Sequence, residues 1–194
     1  MKRQLIASSI VCLLVGFILG FFVNESIKGP GHIDSSGSSS AALPDNHPSP
    51  EVLERLGQLM EQVREHPEDR ESLIQLGNSF YDMGRFDSAI EWYQRALELE
   101  PSDIDVLTDL GTAYLYTGDR KGALEQFKRS LEIDDTHAQT LQNIGVAYFS
   151  SGEYKEAVKA WEKLIEVHPD YVRADEIKEQ IQTARLHLEQ VSSQ

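Results

Sequence analysis

One pattern is written three times between Arg70 and Pro169 at a fixed spacing of 34 residues, so this stretch can fold only by stacking copies of a single unit. The pair Leu76-Gly77 returns as Leu110-Gly111 and again as Ile144-Gly145. Seven residues past each of these glycines stands another, Gly84, Gly118 and Gly152. Twelve past each is an alanine (Ala89, Ala123, Ala157), and sixteen past each is an aromatic (Tyr93, Phe127, Trp161). Between them lie Phe80-Tyr81, Tyr114-Leu115 and Tyr148-Phe149.

Apolar residues within each unit fall at helical spacing, as in Leu73, Leu76 and Phe80 and then Ala89, Ile90, Tyr93 and Leu97, so each unit is two amphipathic helices. Glycine inside a helix costs about 1 kcal/mol against alanine, so Gly77, Gly111 and Gly145 need a packing reason. The expectation is a close approach of the two helices, with small residues on both sides (Ala89, Ala123, Ala157) and the aromatics filling the wider space beside them. Gly84, Gly118 and Gly152 end the first helix at a left-handed turn. Pro101 and Pro169 stop the second. The middle unit lacks that proline, so Asp134-Asp135-Thr136 must turn by side-chain hydrogen bonding.

The period and these residues resemble the tetratricopeptide repeat (TPR) family. The resemblance implies an all-α, right-handed superhelical solenoid of three helix-turn-helix repeats, at 70–103, 104–137 and 138–171. It also implies a protein-binding scaffold whose first helices line a concave groove. Groove positions carried over from the family are Glu71, Ile74, Asn78, Tyr81 and Asp82, then Asp105, Thr108, Asp109, Thr112, Leu115 and Tyr116, then Gln139, Gln142, Asn143, Val146, Phe149 and Ser150. Tyr81, Tyr116 and Phe149 are the expected hot spots, since exposed aromatics carry much of the energy of an interface. Asn78 and Asn143 can hydrogen-bond a peptide backbone. A subset of the family grips chaperone C-terminal carboxylates with basic residues, but Ile74, Gln139 and Asn143 stand where those would be and only Asn78 fits.

Both ends are expected to be capped, because a terminal apolar face has no neighbouring repeat to bury it. A helix over 50–67 starts at Ser49-Pro50 and aligns Val52, Leu53, Leu56, Leu59, Met60 and Val63. A second, over 172–190, carries Val172, Ile177, Ile181, Ala184 and Leu188 among charges.

The uncharged run from Leu5 to Val23 is long enough to cross a bilayer. It is longer than a cleaved signal peptide's apolar core, and Asn24-Glu25-Ser26-Ile27-Lys28 just after it offers no good small-x-small site, so it reads as an uncleaved signal-anchor. Lys2 and Arg3 hold residues 1–4 in the cytoplasm, which sends the repeats to the other side. The expected location is a bacterial inner membrane, single-pass, with periplasmic repeats; a eukaryotic secretory lumen fits the same topology. Gly16 and Gly20 have the GxxxG spacing that lets two membrane helices approach. Residues 24–49 are rich in Gly, Ser and Pro and read as a flexible tether spanning roughly 25–30 Å.

The chain carries 32 acidic and 18 basic residues, a formal net charge of −14, and with three of each sign before Glu51 the whole excess lies from Glu51 onward. Such a surface disfavours nucleic acid, whose phosphates need a basic face. The one cysteine, Cys12, lies in the apolar run and excludes an intramolecular disulfide. No HExxH, CxxC or phosphate loop appears, and no two of the six histidines are three or four apart. Just before Pro67 and Pro169, His66 and His168 read as turn punctuation. Neither an enzyme, a metal nor a cofactor is expected. The leading reading is a membrane-anchored adaptor that holds a segment of another protein during assembly of an envelope complex. One alternative, from an architecture similar to the TPR subunits of cytochrome c haem-attachment systems, is a maturation adaptor holding apocytochrome. The other is a self-associating structural membrane protein, a homo-oligomer through Gly16 and Gly20.

Overall fold

A computed structural model describes residues 49–192. The apolar run 5–23, Gly16, Gly20 and nearly all of the tether lie outside the described residues. Among the described residues eight helices succeed one another: α1 Pro50–Glu65, α2 Arg70–Asp82, α3 Phe86–Leu99, α4 Ile104–Thr117, α5 Arg120–Ile133, α6 Ala138–Ser150, α7 Tyr154–Val167 and α8 Ala174–Ser192. No strand occurs among them, and no helix of the described residues is long and apolar enough to cross a membrane. Helices α2 to α7 form three antiparallel pairs, stacked in chain order into a solenoid.

The starts are fixed by side-chain caps. Ser49, Asp69, Asp103 and Asp119 each accept a hydrogen bond from the backbone N–H three residues on, satisfying a donor the helix leaves free. The turns inside the pairs hold Gly84, Gly118 and Gly152 at φ of 70°, 83° and 76°, a region that penalises any Cβ. In the first and third pairs the chain closes with a six-to-one bond, Arg85 N–H to the Phe80 carbonyl and Glu153 N–H to that of Tyr148. In the middle pair the Tyr114 carbonyl is instead taken by the Thr117 hydroxyl at 3.0 Å. Asp134 makes the proline-free turn as expected, its Oδ1 accepting from the Thr136 backbone N–H at 2.9 Å and the Thr136 hydroxyl at 2.6 Å.

The glycines of the first helices have a different partner from the one the sequence suggests. A Cβ on Gly77 would lie 2.5 Å from the Tyr93 ring, on Gly111 2.5 Å from that of Phe127, and on Gly145 2.2 Å from Trp161 Nε1. The aromatic sits directly on the glycine rather than beside a glycine–alanine contact. Tyr93, Phe127 and Trp161 are all buried, and each contributes about 2–3 kcal/mol by leaving water. Around them run three core clusters: Leu73, Leu76, Leu107 and Leu110 in the first, Ala123, Phe127, Ile144 and Ala147 in the second, and Leu141, Ala157, Trp161 and Leu164 in the third.

The two ends depart from expectation in detail. Helix α1 buries Leu59 and Val63 and half-buries Leu56 against the first pair, while Val52, Leu53 and Met60 are exposed. It therefore covers the first repeat with one edge, not with all six apolar residues. At the other end Val172 is not in the helix; it lies in the preceding turn, 90 % exposed. Ile177, Ile181 and Ala184 pack in one core with Trp161 and Leu164. A further step of 34 from Gly152 lands on Leu186, so no glycine breaks α8, which runs on for 19 residues.

Candidate functional site

Side chains at the start of each first helix reach back to the preceding unit. Positions 69, 103, 137 and 171 are one repeat apart. Asp69 accepts from Gln62 of α1 at 2.6 Å. Asp103 pairs with Arg70 of α2. His137 places Nε2 3.3 Å from Asp105 Oδ1 of α4. The Tyr171 hydroxyl donates to Gln142 Oε1 of α6. His168 does more than punctuate a turn: its Nε2 lies 2.6 Å from the Thr136 carbonyl and ties the third pair to the turn before it. Sequence reasoning misses these contacts, although the 34-step from Asp69 through polar-tipped residues is a signal for them.

They set α2, α4 and α6 side by side, and the groove residues divide accordingly. Asn78, Tyr81, Thr112, Tyr116 and Asn143, all expected positions, make polar or aromatic contacts on this face. Asn78 is exposed and its Oδ1 accepts from the buried Tyr93 hydroxyl at 2.7 Å. Asn143 Nδ2 donates to Thr112 Oγ1 at 3.0 Å, joining α6 to α4. Tyr81 meets Tyr116 edge-on, with ring centroids 5.7 Å apart. Tyr116 is 45 % exposed and stacks on Phe86 of α3 at 4.4 Å, a residue that the sequence pattern does not place in the groove.

Six further expected groove residues are engaged in the core or by neighbouring helices. Thr108 is not a surface residue: it is fully buried, donating to the Ile104 carbonyl at 2.8 Å and lying 2.6 Å from Thr140 Oγ1 and 3.2 Å from Ser130 Oγ. Ile74, Leu115 and Val146 are half-buried against the cores, and Gln142 accepts from Tyr171 through its side chain and from Trp161 Nε1 through its carbonyl. Phe149 is half-buried among Tyr154, Trp161 and His187, so α8 covers the hot spot expected there.

Asp105, His137 and Thr140 line up as a carboxylate, an imidazole and a hydroxyl, with His137 Nδ1 2.7 Å from Thr140 Oγ1. Nucleophilic catalysis needs a hydroxyl that a substrate carbonyl can reach. Thr140 is fully buried and faces Thr108 and Ser130, so the array is a closed structural network. No group of three or more His, Cys, Asp or Glu that could hold a metal ion occurs among the described residues.

The charge of the face is one-sided. Helices α2, α4 and α6 carry four carboxylates, Glu71, Asp82, Asp105 and Asp109, and a single basic residue, Arg70, which is already paired with Asp103. The other basic residues of the repeats lie on the second helices and turns. Asp109 is the most enclosed of the four. Burial, then the charge of Asp105 and less so that of Asp103, pushes its carboxyl up to about 6, and a 3.4 Å hydrogen bond from Gln139 Nε2 opposes them. Tyr81 of α2 and Tyr93 of α3 face it and are themselves held protonated, chiefly by burial.

A solenoid of helix pairs presenting an open face of aromatics, amides and carboxylates is a tetratricopeptide-repeat binding module. The family is more specific than that. The model for the cytochrome c-type biogenesis protein H TPR domain matches residues 44–171, and the chain belongs to this family. No curated protein sequence matches it. Among solved structures it is similar to the MamA protein, at 23 % identity and a TM-score of 0.61, over 72 % of this chain and 80 % of that one. It is also similar to the Sgt2 TPR domain from Aspergillus fumigatus (22 % identity, TM-score 0.59, 79 % and 89 % covered). A third is the first TPR of Spaghetti (RPAP3) bound to the HSP90 peptide SRMEEVD (20 % identity, TM-score 0.57, 61 % and 94 % covered). At these identities the likeness is one of fold.

Proposed function

We propose that the protein is a membrane-tethered adaptor of cytochrome c biogenesis, whose α2–α4–α6 face holds a segment of an apocytochrome c while other components act on it. The observation that carries this reading is the family match over 44–171, which spans all three repeats. The open face supports it, with Asn78, Thr112 and Asn143 offering polar side-chain groups and Tyr81 and Tyr116 an aromatic ledge. The tether and the run Leu5–Val23, with Lys2 and Arg3 before it, would keep the repeats on the periplasmic side of an inner membrane.

The test is a fluorescence-anisotropy titration of labelled haem-free cytochrome c with the full-length protein in detergent. Saturable binding in the micromolar range is expected, weakened at least tenfold when Tyr81 and Tyr116 are both replaced by alanine, since hot-spot aromatics each contribute about 2 kcal/mol or more. No saturation at hundreds of micromolar, or binding indifferent to both tyrosines, refutes the groove. Protease added to right-side-out spheroplasts, cutting the repeats only there and not in inverted vesicles, checks the topology.

A further inference from the structure

We infer that the α2–α4–α6 face selects a partner segment bearing a positively charged side chain, whose head group docks on Asp109 while its aliphatic stem lies against the Tyr81–Tyr116 ring pair. This rests on the groove reading above and adds to it the chemistry of what is bound.

The open face is acidic along α2 and α4, and α6 adds no charge of either sign. The four carboxylates meet one arginine, and that arginine is engaged by Asp103. Asp109 of α4 is faced by Tyr81 of α2, Tyr93 of α3, Gln139 of α6 and Asp105 of its own helix, with Asp103 further out. The His137 imidazole is turned to Asp105 and Thr140. A half-buried carboxylate flanked by acids and phenols, with one long amide contact, gains most from a cation that arrives from outside. Phenol rings beside it suit the stem and the charge of a lysine or arginine. The peptide held by the Spaghetti TPR, SRMEEVD, has three acidic side chains; a ligand of that character would be repelled here.

The experiment uses two probes, labelled haem-free cytochrome c and the same protein with its lysines acetylated. Each is titrated against the full-length wild type, Asp109→Asn, and Asp87→Asn, which removes one exposed charge from α3. The asparagine in Asp109→Asn keeps an Oδ1 for Gln139, so the variant stays folded. Binding of the unmodified probe is expected to weaken about tenfold in Asp109→Asn and less than twofold in Asp87→Asn, the size of one charge-assisted hydrogen bond. Acetylation is expected to weaken binding to the wild type by a similar factor and to change little in Asp109→Asn. Two equal asparagine effects, or an acetylation penalty undiminished in Asp109→Asn, overturn the Asp109 docking while leaving the groove reading intact. If the wild type binds neither probe, or if Tyr81→Ala/Tyr116→Ala binds as well as the wild type, the groove reading itself fails and the inference falls with it.

Discussion

Glycine to alanine is the same chemical change everywhere, yet the structure assigns it opposite signs at three positions of this chain. At Gly57, inside α1, an added Cβ meets nothing within 4 Å, so only helix propensity acts and Gly57→Ala should stabilise by about 1 kcal/mol. At Gly84 there is also open space, but φ is +70°, and the left-handed backbone should cost Gly84→Ala about 1–2 kcal/mol. At Gly145 the new methyl would lie 2.2 Å from Trp161 Nε1 and 2.5 Å from Cδ1. Ordinary carbon contact needs about 3.5–4 Å, so the indole must retreat by more than about 1 Å. Retreat breaks its hydrogen bond to the Gln142 carbonyl, at about 1 kcal/mol, and strains a ring that is 1 % exposed, at about 1–3 kcal/mol. Subtracting the propensity gain leaves Gly145→Ala destabilised by about 1–3 kcal/mol. Urea unfolding of the full-length chain, monitored by far-ultraviolet circular dichroism, gives the three midpoints. A Gly145→Ala protein as stable as the wild type would refute the account of why these glycines recur.

Asp109→Asn should stabilise the protein at pH 7 by about 1–3 kcal/mol, because a carboxyl held near 6 when folded and at 3.8 when unfolded opposes folding once ionised. The sign comes from the folded state binding the proton more tightly: wild-type stability should fall as pH rises from about 4 to 6 and then level off, and the difference from Asp109→Asn should vanish below about pH 4. A difference independent of pH over that window would contradict it. Thr140→Val should cost about 1–3 kcal/mol by taking one partner each from Thr108 and Ser130, which keep each other, and by leaving His137 Nδ1 without its own, measured by the same unfolding curves. Asp134→Ala should cost about 1 kcal/mol and speed amide exchange at Thr136, whose N–H loses its acceptor.

The helices are legible because the period and the punctuation agree: glycines with positive φ, aspartate caps and prolines all fall at repeat spacing. What faces what is less so. The sequence shows that Gly77 and Tyr93 recur together, but not that the ring lies on the glycine, since sixteen residues of helix and turn decide that geometry. Thr108 is misplaced by the repeat pattern for a related reason. Its counterparts, Ile74 and Gln142, are half-buried, and only convergence with Ser130 and Thr140 from two other helices draws the hydroxyl inside. Tyr81 and Phe149 occupy the same repeat position with different neighbours. Tyr81 meets Tyr116 of the next repeat, while Phe149 meets His187 of α8, a helix that has lost the repeat pattern.

The hydroxyl triangle has a consequence for how the chain finds its order. Three units with interchangeable glycine sockets and aromatic knobs could pair in a register displaced by one whole repeat, burying nearly as much apolar surface. The positions matching Thr108, Ser130 and Thr140 are Ile74, Ala96 and Val106 at the junction before, and Gln142, Leu164 and Ala174 at the junction after. A displaced pairing would set Thr140 against aliphatic groups and break its hydrogen bonds to Thr108 and Ser130, at about 1–3 kcal/mol. The second and third repeats therefore recognise each other by a private polar key, which favours the order in which the stack is built.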